Sequence, residues 1–254
     1  MLGRSELLIT DIRVKSNKIP SRSQLFEILS NTAQAAYYES HAVNRGAKVT
    51  QRMTNRLPGF FEGTGMPDPG WWEALWPDPA KVLRDVGVTP GMDVIDLCSG
   101  DGWFTFPLSR IAGTVMAVDI DAALLEAAKV RIAERGGAPN CKFIEADAYH
   151  LGVVIHAPVD HVFLANAFHG VPDKPRLARA VHDVLKPGGL LAIVSWYARP
   201  REETTVLGEP RGPATELRMT PEQTVAAVEP GGLKFRNRVE VSPYHYGAVF
   251  ERPH

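Results

Sequence analysis

Cysteine is scarce in this 254-residue chain, which contains only Cys98 and Cys141. Both cysteines lie in apolar runs that are typical of buried strands. Two such residues cannot supply the disulfide framework of a small secreted protein, so we expect a reducing compartment, the cytoplasm. No apolar run of 18 residues is present, and the N-terminus lacks the apolar core of a secretory signal. We therefore expect no membrane partner.

The chain also lacks an excess of positive charge and any metal-binding pattern. Its formal net charge is −1, so no overall positive field predicts a nucleic-acid partner. The eight histidines form no His-x-x-x-His pair and have no cysteine neighbour at the spacing of a zinc site. We therefore expect no bound metal. The length fits one domain with additions.

The most informative stretch of the sequence begins at Val94. An apolar run, interrupted only by Asp96, is followed by Gly100, Gly102 and a helix-like continuation. This pattern predicts a buried parallel strand that leads into a ligand-binding loop, because glycine allows a positive φ and a close approach of backbone to ligand. A dinucleotide-binding loop would need a third glycine where Thr105 stands. The spacing therefore disfavours a nicotinamide-dependent dehydrogenase.

The pattern Asp96-x-x-x-Gly100-x-Gly102 resembles motif I of the class I S-adenosylmethionine-dependent methyltransferases, although the family usually has a glycine where this chain has Cys98. Four further elements follow in the order of that family. They are Val115–Asp119, Glu145-Ala-Asp147-Ala148, Asp160–His169 and Leu185-Lys-Pro-Gly-Gly189 followed by Leu190–Val194. The resemblance covers the chain from about residue 78 to the C-terminus, and it implies a methyltransferase with S-adenosylmethionine as cofactor.

The resemblance also implies roles for individual residues. Asp119 would accept hydrogen bonds from both ribose hydroxyls, Asp147 would accept one from the adenine amino group, and Asn166 would lie beside the transferable methyl. The predicted cofactor-binding set is Asp96, Cys98, Gly100, Gly102, Asp119, Ile120, Asp147, Ala148 and Asn166. The residues alone leave another role open for Asp119, which could cap the next helix, although Asp121 could fill that role equally well.

His169 is the candidate catalytic residue, because it follows the fourth predicted strand and imidazole titrates near neutrality. Three roles stay open for it: general base, orientation of the substrate, or a structural contact. The segment Phe168–Asp173 resembles a His-x-x-Pro-Asp segment of methyltransferases that act on small molecules, quinone methylases included. The predicted substrate-binding residues are Trp71, Trp72, Phe168, His169 and Arg218.

Alternating strand and helix patterns predict an α/β fold, a three-layer α/β/α sandwich around a mostly parallel, doubly wound sheet. The patterns of Leu233–Val241 and Tyr244–Phe250 predict a C-terminal antiparallel hairpin, and the resemblance implies seven strands. We predict a methyltransferase domain over residues 78–254. Residues 1–77 would form a mainly helical N-terminal extension or lid, with an amphipathic helix over Ser23–Tyr38.

Three features of the extension and the C-terminal half leave alternatives open. Residues 1–60 hold nine basic and four acidic residues, a net charge of +5, which fits a solvated face or a phosphate-binding patch. The tryptophans Trp71, Trp72 and Trp76 could form a lid that excludes water, or they could anchor an irregular segment onto the core. The polar stretch 197–218 is long for a connector and is a candidate substrate cover.

Together these observations predict a methyltransferase that acts on a small-molecule acceptor, with the accepting atom (O, S, N or C) left open. The alternative from a different class is a catalytically silent S-adenosylmethionine-binding subunit that regulates a partner. The sequence leaves the oligomeric state open, a dimer included.

Overall fold

The computed structural model describes residues 66–254. The predicted helix over Ser23–Tyr38 and the basic stretch 1–60 lie outside the described residues. A seven-stranded sheet forms the middle layer, with the strand order β3-β2-β1-β4-β5-β9-β8. Its strands are β1 (Asp93–Leu97), β2 (Thr114–Asp119), β3 (Cys141–Glu145), β4 (Val159–Ala165), β5 (Leu185–Trp196), β8 (Lys234–Ser242) and β9 (His245–Glu251). Two short strands, β6 (Thr205–Val206) and β7 (Glu209–Pro210), form a separate hairpin.

The first five strands are parallel, and β9 pairs antiparallel with both β5 and β8. The order reverses between β1 and β4, which is the point where open α/β sheets bind ligands. The α-helices within residues 66–254 are α1 (Pro69–Leu75), α2 (Pro79–Asp85), α3 (Thr105–Ile111), α4 (Ala122–Glu134), α5 (Leu151–Val154), α6 (Lys174–Val184) and α7 (Pro221–Val228). The predicted fold class, including the C-terminal hairpin, is confirmed.

Several helices begin where the sequence supplies capping side chains. The Asp78 carboxylate accepts a hydrogen bond from the Lys81 N–H at 2.8 Å, at the start of α2. Thr220 and Gln223 form a reciprocal capping box at the start of α7. Each cap satisfies backbone donors that have no partner within the helix, and such a cap typically contributes about 1 kcal/mol.

The core lies on both faces of the sheet, because successive side chains of each strand point to opposite sides. On β4, Val162 and Leu164 pack with Leu177 of α6, whereas Phe163 between them packs against the other face. That second face is covered by α1, α2 and α3, whose buried residues include Trp72, Val82, Leu83 and Leu108, and by Trp76, which directly follows α1. Both faces are covered, so the central strands read as continuous apolar runs.

The helix α1 ends before the predicted boundary between residues 77 and 78, yet its Trp72 and Leu75 are buried in the same cluster as residues of the sheet. The boundary itself stays a prediction. None of the helices between residues 66 and 254 is long and apolar enough to cross a bilayer.

The strand β5 is longer than the predicted run Leu190–Val194. It begins at Leu185, which pairs with Val159, and its next partner pair is Leu190 with His161. The pairing therefore advances five residues along β5 and only two along β4, so the Lys-Pro-Gly-Gly segment loops out of register. Gly188 adopts φ +75° there, a conformation that side chains disfavour.

His161 is a buried histidine of β4 that lies away from the carboxyl ends of the strands. Its Nε2 lies 3.1 Å from the Val86 carbonyl oxygen, and its Nδ1 has no partner among the described residues. Burial lowers the pKa of His161 from 6.5 to about 4. The folded protein therefore holds this imidazole neutral at a pH where the unfolded chain would protonate it.

We expect this difference to make the unfolding free energy depend on pH. As pH falls from 6.5 towards 4, the unfolded chain takes up a proton that the folded chain refuses, so stability falls. The advantage of wild type over His161→Gln should shrink by about 2 kcal/mol between pH 7.5 and pH 5. Urea unfolding of both proteins at several pH values measures this difference, because the contributions of the other groups cancel. A difference that stays constant with pH would contradict the assignment.

Candidate active site

The loop after β1 enters the carboxyl edge of the sheet through three residues with positive φ: Cys98 at +57°, Gly100 at +55° and Gly102 at +80°. A positive φ is uncommon for a residue with a side chain, so Cys98 occupies a position at which glycine would be unstrained. Burial raises the pKa of the Cys98 thiol far above its usual range. The thiol is therefore protonated, and Cys98 forms no disulfide.

The two glycines of this loop lie against different neighbouring residues. A Cβ on Gly102 would lie 2.8 Å from the Ala128 Cβ and 3.1 Å from its Cα, so the loop packs directly on α4. A Cβ on Gly100 would lie 2.7 Å from the Met66 sulfur. The Met66 thioether therefore lies against the loop. Gly102 is required by the neighbouring helix, a constraint that spacing along the sequence does not reveal.

We expect Gly102→Ala to lower the free energy of unfolding by more than Gly137→Ala. Both glycines have a positive φ, but a Cβ on Gly137 would meet nothing within 4 Å. The conformational penalty, about 1 kcal/mol or more, is shared, so the difference isolates the contact with Ala128. Overpacking should add about 1–3 kcal/mol. Denaturant unfolding of both variants measures the difference, and equal losses would show that the loop does not pack on α4 as described.

Asp119 ends β2 and joins the glycine loop to the next turn. Its Oδ2 accepts a hydrogen bond from the Gly100 N–H at 2.8 Å, and its Oδ1 accepts one from the Asp121 N–H at 2.9 Å. Asp121 in turn caps α4, accepting from the Ala123 N–H at 2.8 Å. The capping role is therefore filled by Asp121. Each Asp119 oxygen retains acceptor capacity, and its ribose contact stays a prediction.

The side chain of Asp96 contacts the protein rather than open solvent. The Thr105 hydroxyl donates to its Oδ2 at 2.6 Å, which ties β1 to the first residue of α3. Burial raises the pKa of Asp96 to about 7, although the Thr105 hydrogen bond opposes the shift. The contact of Asp96 with a cofactor stays a prediction.

Several buried polar atoms near the carboxyl ends of the strands have no hydrogen-bond partner among the described residues. They are Ser99 Oγ after β1, Asp147 Oδ2 after β3, and Asn166 Nδ2 and His169 Nδ1 after β4. Buried polar atoms are almost always paired, so a polar ligand that pairs with them fits this edge of the sheet. Hydroxyls, amino groups and a carboxylate, as in S-adenosylmethionine, offer suitable donors and acceptors.

The remaining predicted cofactor contacts lie on two flanking turns. Ile120 directly follows β2, with 38% of its surface exposed, as an apolar side chain beside a ligand would be. Ala148 begins a 3-10 helix that Asp147 caps, since the Tyr149 N–H donates to Asp147 Oδ1 at 2.8 Å. These contacts stay predictions.

Among residues 66–254, no group of three or more His, Cys, Asp or Glu side chains is placed to hold a metal.

Phe168 and His169 are both buried in a 3-10 turn after β4. The Lys174 ammonium donates to the Val171 carbonyl at 2.8 Å and lies 5.7 Å from the centroid of the Phe168 ring, which holds the turn in place. Burial lowers the pKa of His169 to about 4, and the positive charges of Lys174 and Arg218 reinforce the shift. His169 is therefore neutral at physiological pH and a weak base, a state better suited to orienting a substrate than to removing its proton.

The tryptophans of the predicted lid anchor α1 on the domain. Trp76 lies between Trp72 and Phe104, with ring centroids 5.7 and 5.4 Å away. Trp72 and Trp76 are buried, whereas Trp71 is half-buried beneath the Arg211 guanidinium, 5.3 Å from its ring centroid. Anchoring is thus observed for two of the three rings. Their contact with a substrate stays a prediction.

Arg218 holds together the polar stretch that follows β5. Its guanidinium donates to the carbonyls of Pro213, Arg199 and Arg211 and to the Thr204 hydroxyl, at 2.9–3.2 Å. Four of its five N–H donors are therefore satisfied within the protein. The stretch is therefore built around a buried arginine, and its role as a substrate cover stays a prediction. Within residues 66–254, one N–H donor of Arg218 is left for the substrate contact predicted for it.

His245 belongs to the same neighbourhood and was missed by the sequence analysis. It is fully buried on β9, and its Nε2 lies 3.0 Å from Asn166 Oδ1. The strand pattern of Tyr244–Phe250 indicates only that this segment pairs. The two residues are 79 positions apart, and no local signal links them.

Comparison with known proteins agrees with this geometry. Residues 94–189 match the family described as "Methyltransferase domain". The chain is 32% identical over 120 residues to the ubiquinone/menaquinone biosynthesis C-methyltransferase UbiE of Cellvibrio japonicus, a match that covers 46% of this chain and 47% of that protein. The chain thus spans about half the length of the curated relatives it matches.

Among solved structures, an S-adenosylmethionine-dependent methyltransferase from Aquifex aeolicus superposes with a TM-score of 0.61 at 26% identity, covering 73% of this chain and 94% of that one. The [4+2]-cyclase SpnF superposes with a TM-score of 0.57 at 15% identity, covering 77% and 87%, a likeness of fold alone. The matched residues 94–189 therefore belong to a methyltransferase domain, and the described part of the chain shares the fold of an S-adenosylmethionine-dependent methyltransferase. S-adenosylmethionine is the cofactor of that domain.

Proposed function

We propose that the protein transfers the methyl group of S-adenosylmethionine to a small-molecule acceptor. The observation that carries this proposal is the meeting of three predicted groups at one edge of the sheet. The glycine loop after β1, Asp119 at the end of β2 and the turn holding Asn166 and His169 after β4 all end there. Buried polar atoms that have no partner within residues 66–254 lie on the same edge.

The proposed reaction places modest demands on the protein. When bound, the cofactor would supply an activated sulfonium, and an electron pair of the acceptor would form the new bond to the methyl carbon as the S–CH₃ bond breaks. The sulfur would keep the electron pair of the broken bond, S-adenosylhomocysteine would leave, and the proton of a protonated acceptor would pass to solvent. The rate then depends on alignment. In this site Asp119 would fix the ribose, while Asn166 and the neutral His169 would orient the reacting groups.

A small acceptor is supported by two observations. The matched relative is named for quinone biosynthesis, and Phe168–Asp173 resembles the corresponding segment of small-molecule methyltransferases. The acceptor side of the site would be bounded by the aromatic helix α1 and by the ordered stretch around Arg218. An aromatic boundary of this kind suits a flat or apolar acceptor, because ligand sites are mostly apolar with a few placed polar groups.

The test is turnover of methyl-labelled S-adenosylmethionine against quinols, phenols, thiols, amines and arsenite, with and without cell extract. We expect label transfer, with equal formation of S-adenosylhomocysteine, for one acceptor class. The Asp119→Ala protein, weakened in cofactor binding, is the control. Binding of the cofactor without transfer to any acceptor would instead indicate a silent regulatory subunit, and failure to bind the cofactor would contradict both.

A further inference from the structure

Asn166 directly follows β4 in a left-handed backbone conformation. Its φ is +58°, a value that asparagine adopts more readily than most residues with a side chain. The Asn166 N–H donates to the Val194 carbonyl at 2.9 Å, which fixes the backbone. The side-chain amide is fixed separately, because its Oδ1 faces His245 on β9.

The His245 ring is held on every side. It packs between Trp76 and Trp196, with ring centroids 4.6 and 4.1 Å away. Its Nδ1 lies 2.9 Å from the Ser242 hydroxyl, and its Nε2 lies 3.0 Å from Asn166 Oδ1. With Oδ1 assigned as the acceptor, Nε2 carries the proton and Nδ1 accepts the hydroxyl hydrogen of Ser242. A ring held in this way cannot turn without losing both bonds.

We propose that His245 is a positioning residue, which holds the Asn166 carboxamide so that its Nδ2–H₂ faces the methyl-transfer site. The inference rests on the proposed function. Nδ2 is buried and has no partner among the described residues, so its N–H donors are unsatisfied there and would pair with a ligand bound beside Asn166. The Ser242 hydroxyl donates to His245, and His245 donates to Asn166 Oδ1. The free end of the Asn166 carboxamide is therefore its Nδ2–H₂ group, which is a donor. The group it serves is a hydrogen-bond acceptor, an oxygen of the cofactor or of the methyl acceptor.

Loss of His245 should release the amide. A free Asn166 side chain can turn by half a rotation and present Oδ1 where Nδ2 stood, which replaces attraction by repulsion for an oxygen ligand. His245→Phe keeps an aromatic ring between Trp76 and Trp196 but removes both hydrogen bonds. His245→Gln retains a donor of similar reach and should recover part of the loss.

The control comes from the next residue of β9. The Tyr246 hydroxyl lies 2.6 Å from the Thr224 hydroxyl and 3.2 Å from the Met219 carbonyl, and the ring packs in the core cluster on the other face of the sheet. Tyr246→Phe removes buried hydrogen bonds from the same strand without touching Asn166. It should lower the melting temperature while leaving cofactor affinity and kcat/KM unchanged.

The test is a double-mutant cycle between His245→Phe and Asn166→Ala, measured on kcat/KM and on S-adenosylmethionine affinity. In the wild-type background, we expect His245→Phe to lower kcat/KM or cofactor affinity about tenfold. In the Asn166→Ala background the same change should have almost no effect, because the two residues act as a unit. The inference would be overturned if the losses caused by His245→Phe and Asn166→Ala were independent, so that the double mutant showed their product in both kcat/KM and cofactor affinity. It would also be overturned if His245→Gln recovered none of the loss.

Two further arms keep the test decisive. Ser242→Ala leaves the ring in place but removes the hydrogen bond that fixes it, and it replaces His245→Phe in the cycle if that variant does not fold. A protein that binds S-adenosylmethionine but methylates no acceptor would defeat the proposed function. The cycle measured on cofactor affinity would then decide the positioning role of His245 by itself.

Discussion

We expect His169→Ala to lower kcat/KM for the methyl acceptor by about 10²-fold, the scale of a misaligned reaction, at every pH from about 6 to 9. The reason is that burial lowers the pKa of His169 to about 4. The imidazole stays neutral throughout that range, so its contribution to turnover should not titrate there. Removing an orienting imidazole should therefore slow the reaction by the same factor at each pH.

The pH profile separates this role from the two others. A general base would give a larger loss that recovers at alkaline pH for a phenol or thiol, because the acceptor then ionises unaided. A structural histidine would leave the rate per folded molecule intact and lower the melting temperature. His182→Ala is the matched control, since His182 lies in the last turn of α6, before β5 begins. An unchanged profile with unchanged stability would remove His169 from the site.

The second large effect is expected for Asp119. Asp119→Ala should weaken S-adenosylmethionine binding by about 1.5–3 kcal/mol, or roughly 10- to 150-fold, because it removes two hydrogen bonds to a charged group. The same change frees the Gly100 N–H that Asp119 now holds. Calorimetry should therefore be paired with thermal unfolding, and with Asp119→Asn, which keeps one acceptor oxygen.

Asp121→Ala provides the control for this prediction. Asp121 caps α4 two residues further on, so its loss should cost about 1 kcal/mol of stability and leave cofactor affinity unchanged. Unchanged affinity in a correctly folded Asp119→Ala protein would contradict the assignment of β2. Equal losses of affinity in both variants would indicate that the turn, and not the carboxylate of Asp119, matters for binding.

The central strands could be predicted from sequence because they are buried on both faces and read as apolar runs between turn residues. The helix starts were equally readable, since Asp78, Asp121 and Thr220 are capping residues next to helical patterns. The position of Asp119 at a strand end followed from the same reasoning. These features depend on local sequence, which pattern analysis can see.

The features that escaped prediction depend on contacts between distant segments. At position 102 only glycine fits against Ala128 of α4. The Arg218 guanidinium is hydrogen-bonded to carbonyls of the same polar stretch, 197–218, to which it belongs. His245 reaches Asn166 only because β9 pairs beside β5, which pairs beside β4. The extra length of β5 arises from a register shift against β4. None of these leaves a periodic signal in the chain.

The central claim is that S-adenosylmethionine binds across the carboxyl ends of β1 and β2. A crystal structure of the protein with S-adenosylhomocysteine tests it most directly. We expect both ribose hydroxyls at hydrogen-bond distance, about 2.5–3.0 Å, from the Asp119 carboxylate, with the homocysteine portion along the loop that contains Gly100. A ligand bound elsewhere, or a ribose that makes no contact with Asp119, would contradict the account.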